Sequence, residues 1–285
     1  MATAAATMGF GHIVHATDFS AAGEPAFNHA LRLALAARSH LYVVHAEHLQ
    51  PGEDADWDAF PGVRSTLARW GLLAADAEPA AVHAQLGVRV TKADVPDSDP
   101  VDGVLRFITH NQCDFLVVGT RAREDLATRV KGSVAETLSR RSQIPTLFLP
   151  IGNPGFIDHA NGAPRLRNVL LPVDLSVPPA FAAALALRVA DALGCEEAIL
   201  HALHVGSPAD APVVSADPRH EGRVRHIDAD GSVVESIVAQ AAAIDADLIV
   251  MATRGHDGVL DHLRGSTTEQ VLHRAHRPLL AVPAS

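Results

Sequence analysis

The sequence predicts an α/β protein of two tandem Rossmann-like, doubly wound parallel sheets. Each sheet is five-stranded with helices on both faces, and the two pack as an intrachain pseudo-dimer. Three observations carry this prediction. The 285-residue chain repeats its own pattern, apolar runs of strand length alternate with helical stretches, and the composition suits Ala-rich helices on Val/Leu-rich strands, with 48% hydrophobic and only 4% aromatic residues.

The repeat is read directly. HIVHATDFS at 12–20 answers NVLLPVDLS at 168–176, and FLVVGT at 115–120 answers LIVMAT at 248–253. The tails KGSVAETLSRRSQIPTLFLP (131–150) and RGSTTEQVLHRAHRPLLAVP (264–283) align without a gap. Asp18 to Gly119 spans 119 − 18 = 101 positions and Asp174 to Ala252 spans 252 − 174 = 78, so repeat 2 is 23 residues shorter in its middle. Repeat 1 carries a helical stretch at 61–85 there, whereas repeat 2 has only GSPADAPVVSADP at 206–218, so repeat 2 is expected to lack or shorten one helix. The predicted units are residues 1–150 and 166–285. Between them 151–165, rich in Gly, Pro, Asn and Asp, reads as a linker rather than a packed element.

In repeat 1, strands are expected at 12–17, 41–46, 87–94, 114–119 and 145–149, and helices at 24–38, 61–85, 100–112 and 133–142. In repeat 2, strands are expected at 167–173, 198–204, 223–227, 247–252 and 279–282, and helices at 178–193, 231–245 and 266–276. Near-continuous apolar strands separated by helices imply a parallel sheet covered on both faces. The apolar last strands of the two repeats need a neighbour, and pairing with each other would supply it.

Several function classes are disfavoured. A formal net charge of −10 opposes binding to nucleic acid or an anionic membrane surface. The N-terminus has no cationic, apolar leader, no run approaches about 18 apolar residues, and the two widely spaced cysteines, Cys113 and Cys195, form no framework; a cytoplasmic location is expected. No catalytic set is found: G-x-S-x-G, H-E-x-x-H, C-x-x-C and the Walker A pattern are all absent. Seventeen histidines raise a metal reading. His45/His48 and His201/His204 are spaced three apart on strands and face opposite sides, and His273/His276 has no third ligand in view, so no metal residues are assigned.

Small and polar residues gather at the carboxyl ends of the strands, where open α/β sheets bind ligands. Asp18 and Asp174 follow the first strand, Thr120-Arg121 and Thr253-Arg254 follow the fourth, and Gly132-Ser133 and Gly265-Ser266 stand where the last helix begins. Glu136 and Glu269 complete capping-box spacings there. A helix N-terminus stabilises an anion through unpaired N–H groups, and glycine lets the backbone approach it. The plainer reading is a helix cap with an Asx turn at each Asp.

These residues closely resemble the universal stress protein family over nearly the whole chain. The family pattern after the fourth strand is Gly-x-x-Gly, nine residues, then Gly-Ser or Gly-Thr. Repeat 2 reads Ala252-x-x-Gly255, nine residues, Gly265-Ser266, and Pro172-Val173-Asp174 matches the end of the first strand. The resemblance implies ATP as the ligand, with or without Mg2+, held by Pro172, Val173, Asp174, Met251, Ala252, Arg254, Gly255, Gly258, Gly265, Ser266 and Thr267. Repeat 1 keeps Thr17, Asp18, Gly119, Gly132 and Ser133 more weakly: it has Ala122 for the second glycine and Asp125 for Gly258. Alanine at a positive φ costs about 1–2 kcal/mol, and Glu124 and Asp125 would repel phosphate. Repeat 1 is therefore expected to be degenerate. The implied role is a nucleotide-dependent stress sensor or interaction module. A nucleotide-free scaffold is the alternative, and a slow ATP hydrolase is the third; a further homodimer is left open.

Overall fold

The computed structural model describes residues 10–46, 57, 60–97, 99–120, 134–214, 217–253 and 267–284. Repeat 1 contributes β1 (His12–Thr17), α1 (Glu24–Ala37), β2 (His40–His45), α2 (Val63–Arg69), α3 (Pro79–Leu86), β3 (Arg89–Asp94), α4 (Pro100–His110), β4 (Phe115–Thr120), α5 (Val134–Ser142) and β5 (Thr146–Pro150). Repeat 2 contributes β6 (Asn168–Val173), α6 (Ala180–Ala192), β7 (Ile199–Val205), β8 (Val224–Ala229), α7 (Val233–Ala243), β9 (Leu248–Thr253), α8 (Thr267–Arg274) and β10 (Leu279–Pro283).

All ten strands form one sheet in the order β3-β2-β1-β4-β5-β10-β9-β6-β7-β8. Pairing is parallel within each half, and the halves join where β10 runs antiparallel to β5, with Leu280 opposite Leu147. The alternation of side chains along a strand sorts the core into two layers. On β1, Ile13 enters the layer covered by α1 and α6, whereas Val14 enters the layer covered by α4, α5, α7 and α8. Both are fully buried, which is why these strands read as continuous apolar runs. At the two outer edges, β3 (RVTKAD) and β8 (VRHIDA) carry charged residues, which deters further strand addition.

Local chemistry sets the helix limits. Asp99 caps α4, its carboxylate accepting from the Val101 N–H at 2.8 Å, and Pro100 occupies the first turn. The shortened middle of repeat 2 has no α-helix between β7 and β8 among the described residues, only short 3₁₀ turns at Pro208–Asp210 and Pro218–His220. The second turn is pinned from below: His220 Nε2 lies 2.6 Å from Asp191 Oδ2, Arg223 bonds the other oxygen of Asp191, and Arg223 Nε donates to the Ala198 carbonyl at 2.9 Å.

Two expectations need correction. The helix predicted over 61–85 is two helices, α2 and α3. Gly71 turns the chain at φ +70, and Glu78, pushed to extended geometry ahead of Pro79, begins the next helix. The connection between the repeats is a packed element, not a loose linker. Phe156 and Ile157 are 3% and 2% exposed and join the α1-side core, and His29 holds the segment in place. The His29 Nδ1–H donates to the Pro25 carbonyl at 2.7 Å and Nε2 accepts the Phe156 N–H at 3.0 Å. Trp70 donates its indole N–H to the His159 carbonyl at 3.1 Å and lies against Gly162. Composition marked the turns correctly; the two apolar residues between them were the missed signal.

Candidate functional site

Strand order reverses between β1 and β4 in repeat 1 and between β6 and β9 in repeat 2. Beyond the carboxyl ends of β1 and β4 opens a cavity of about 370 Å³, a size suited to a small ligand. The predicted residues Thr17, Asp18 and Gly119 line it together, joined by Ser20, Gly23 and Thr120, which the sequence reading did not assign to binding. A Cβ built on Gly119 meets only the Cα of Gly23, at 3.9 Å. That room explains how Ala252 can stand at the equivalent place in repeat 2. Gly132 and Ser133 lie outside the described residues.

Asp18 is exposed, and its carboxylate accepts the Ser20 N–H at 3.0 Å, so the Asx turn of the plainer reading is present. The next residue, Phe19, takes φ 57, a left-handed conformation that is strained for a bulky side chain. Its ring stacks on His45 at 3.9 Å between centroids, with Trp57 and Phe60 beside it. Aromatic packing thus holds the turn that presents Asp18. Below it His15 is buried; its Nδ1–H donates to the Val117 carbonyl at 3.0 Å, while Nε2 has no hydrogen-bond partner among the described residues. Burial holds the His15 pKa down at about 4 despite that hydrogen bond, so the ring is neutral at pH 7.

In repeat 2, Pro172 and the buried Val173 end β6, and Asp174 follows, exposed, with Oδ1 accepting the Ser176 N–H at 2.7 Å, the Ser176 hydroxyl at 2.5 Å and the Val177 N–H at 3.2 Å. Leu175, which occupies the place of Phe19, is 75% exposed, so this turn lacks the aromatic clamp. β6 pairs with β9 only at Val169 and Leu170, whereas β1 pairs with β4 over Ile13–Ala16. Pro172, with no N–H to give, stands where that ladder has ended. Met251 is buried and Ala252 half-buried at the end of β9, and Thr267 opens α8, exposed. Arg254, Gly255, Gly258, Gly265 and Ser266 lie outside the described residues, as does Arg121. The structure therefore brings the strand-end residues of both repeats to their switch points and describes none of the glycine-loop residues.

The histidine pairs follow their separate surroundings. His201 Nε2 lies 3.2 Å from Asn168 Oδ1, and His204 contacts the Val173 and Ser207 carbonyls at 3.4 and 3.1 Å; His48 is outside the described residues. Cys113 and Cys195 are free thiols, Cys113 buried, and burial pushes its pKa up to about 12. No helix among the described residues is long and apolar enough to cross a membrane.

The sequence profile of the universal stress protein family matches residues 9–150 and 219–283 of this chain, most of its length. The chain belongs to the universal stress protein family. The match leaves out 151–218, which holds β6, α6, β7 and Asp174. Two solved structures resemble the tandem chain end to end. A universal stress protein from Archaeoglobus fulgidus DSM 4304 superposes with TM-score 0.62 at 21% identity, covering 97% of this chain and 100% of its own. A functionally unknown protein from Pseudomonas aeruginosa PAO1 gives 0.63 at 16% identity, covering 98% and 94%. At these identities the likeness is one of fold. No curated protein matches the chain by sequence.

Proposed function

We propose that this universal stress protein binds an adenine nucleotide at its strand ends and acts in stress response as a nucleotide-dependent sensor or interaction module rather than a catalyst. The units are 1–150 and 166–285, working in the cytoplasm. ATP, with or without Mg2+, is assigned to repeat 2, where Asp174 faces the base or ribose and the loop from Arg254 to Thr267 takes the phosphates. One observation carries the reading: in each repeat an Asp follows one, and a small residue ends the other, of the two neighbouring strands between which the strand order reverses, and in repeat 1 the two line one cavity. That is where open α/β sheets hold nucleotides, with phosphate at a helix N-terminus.

A second reading is favoured by the cavity beside Thr17, Asp18 and Gly119, which lies in repeat 1. Calorimetric titration of ATP into wild type, Gly265→Asp and Gly132→Asp separates the two. Loss of affinity by about tenfold or more in Gly265→Asp alone, as expected from a Cβ and a negative charge against phosphate, supports repeat 2. Loss in Gly132→Asp alone moves the site to repeat 1. No binding in wild type, with no nucleotide released on denaturing the purified protein, supports the scaffold reading, to which the Asx turns at Asp18 and Asp174 already conform.

A further inference from the structure

Glu136, Glu269 and His273 meet across the seam between the repeats, their ligand-capable atoms all within 4.8 Å of one another. We infer that these three side chains form a binding site for one divalent transition-metal ion that clips α5 of repeat 1 to α8 of repeat 2. The site is independent of the nucleotide reading above.

Three features point to an ion. First, Glu269 and His273 are four residues apart on α8, so they project from one helical face and can chelate together, the spacing that helical metal motifs use. Second, Glu136 is the repeat-1 counterpart of Glu269, since 269 − 136 = 133 is also the offset between the aligned tails (264 − 131). The near-twofold relation of the repeats thus brings the second carboxylate to the chelating pair. Third, the spacing suits metal bonds: His273 Nε2 and Glu136 Oε1 are 3.3 Å apart. Two atoms so placed subtend roughly 107° at an ion about 2.05 Å from each, close to the tetrahedral angle.

The donor set selects the ion class. Two carboxylate oxygens and one imidazole nitrogen suit Zn2+, Mn2+ or Fe2+ better than Ca2+ or Mg2+, which take oxygen ligands. The side chains are half-sheltered, Glu136 17% and His273 31% exposed, so an ion can enter without unfolding the seam. The position equivalent to His273 in repeat 1 is Arg140, a cation and not a ligand, so the seam holds one such site rather than a symmetric pair. His276 is the histidine nearest to His273 in the sequence. That residue lies past the end of α8 with φ 48, whereas Glu269 is one turn back.

The test uses the full chain, untagged and without nucleotide, titrated with Zn2+ by calorimetry and with Co2+ by visible absorption. The expected result is one equivalent per chain, Co2+ bands of a low-symmetry oxygen/nitrogen site, and a Zn2+-dependent rise in Tm. His273→Gln and Glu136→Gln should each weaken binding roughly 100-fold or more, beyond the 10–100-fold lost with supporting residues around a metal site, and abolish the Tm rise. His226→Ala, on exposed β8, should change neither. Glu269→Gln keeps the side-chain shape; with circular dichroism unchanged, its loss of binding separates ligation from folding. Absence of a one-equivalent site in wild type overturns the proposal. So does undiminished binding in the His273 and Glu136 variants, which would place the ion on other histidines and leave Glu136 and His273 as an ion pair only.

Discussion

Acid should loosen this protein by releasing the segment between the repeats, and His29 is the residue that reports it. Folding buries the ring completely, and burial lowers its pKa from 6.5 to about 4, outweighing the hydrogen bond to the Pro25 carbonyl. The neutral ring is required by its contacts: Nδ1–H donates to Pro25 while Nε2 accepts from Phe156, and an imidazolium cannot accept. The unfolded chain binds a proton near pH 6.5 and the folded one only near 4. Protons therefore favour unfolding, and the contribution is intact above pH 6.5 and lost as pH falls toward 4. At about 1.4 kcal/mol per tenfold in proton affinity, moving from pH 7 to pH 5 removes about 2 kcal/mol through His29. His15, lowered in the same way to about 4, removes about as much again. The assay is urea denaturation of wild type and His29→Gln at pH 7 and pH 5. The variant is less stable at both values, but its loss between them should be smaller than that of wild type by about 2 kcal/mol. Equal losses in the two proteins would refute the assignment of a neutral, clamping His29.

The remaining predictions concern the same seams. Gly162→Ala places a Cβ 2.5 Å from Trp70 at a φ of +68, and should cost about 2–5 kcal/mol from left-handed strain plus overpacking; urea denaturation within 0.5 kcal/mol or so of wild type would contradict the packed connection. Asp191→Ala removes the common partner of His220 and Arg223 and should cost about 2–4 kcal/mol, Arg223 being only 12% exposed and keeping its carbonyl contacts. Burial opposes ionisation of Asp191, but the hydrogen bonds from Arg223 and His220 prevail and hold its pKa below the usual range. Its contribution is therefore present above the unfolded carboxylate pKa and fades as pH falls through the lower folded value, so the gap between wild type and Asp191→Ala should narrow in acid.

Much of the fold was written in periodicity. The inner strands were legible because parallel strands buried on both faces must be apolar throughout, and the repeat showed the pattern twice. The missing helix of repeat 2 was legible as a difference in length between matched anchors. The break within 61–85 was harder, because the Ala-rich sequence after Gly71 supports helix and only Pro79 marks the restart. The connection misled because Gly, Pro and Asn state where a chain turns, not whether the residues between the turns are buried. At the site, Asp18, Asp174, Gly119 and Ala252 reached the predicted strand ends. The clamp of Phe19 on His45 and Trp57 joins residues far apart in sequence, and no local pattern encodes it. The seam cluster escaped for the same reason: Glu136 and His273 belong to different repeats.

The antiparallel join of β5 and β10 has a consequence for how the molecule fails. Every residue of β5 from Thr146 to Pro150 is buried, and β10 is one of its two sheet neighbours. If repeat 2 melts alone, β5 is left as a bare apolar edge, the kind of surface that recruits a strand from another chain. Losing one half therefore costs the survivor its cover as well as its contacts. The two repeats, as halves of one ten-stranded sheet, should melt as a single cooperative unit, and a chain caught half-open would seek in a second copy what its own far end normally provides.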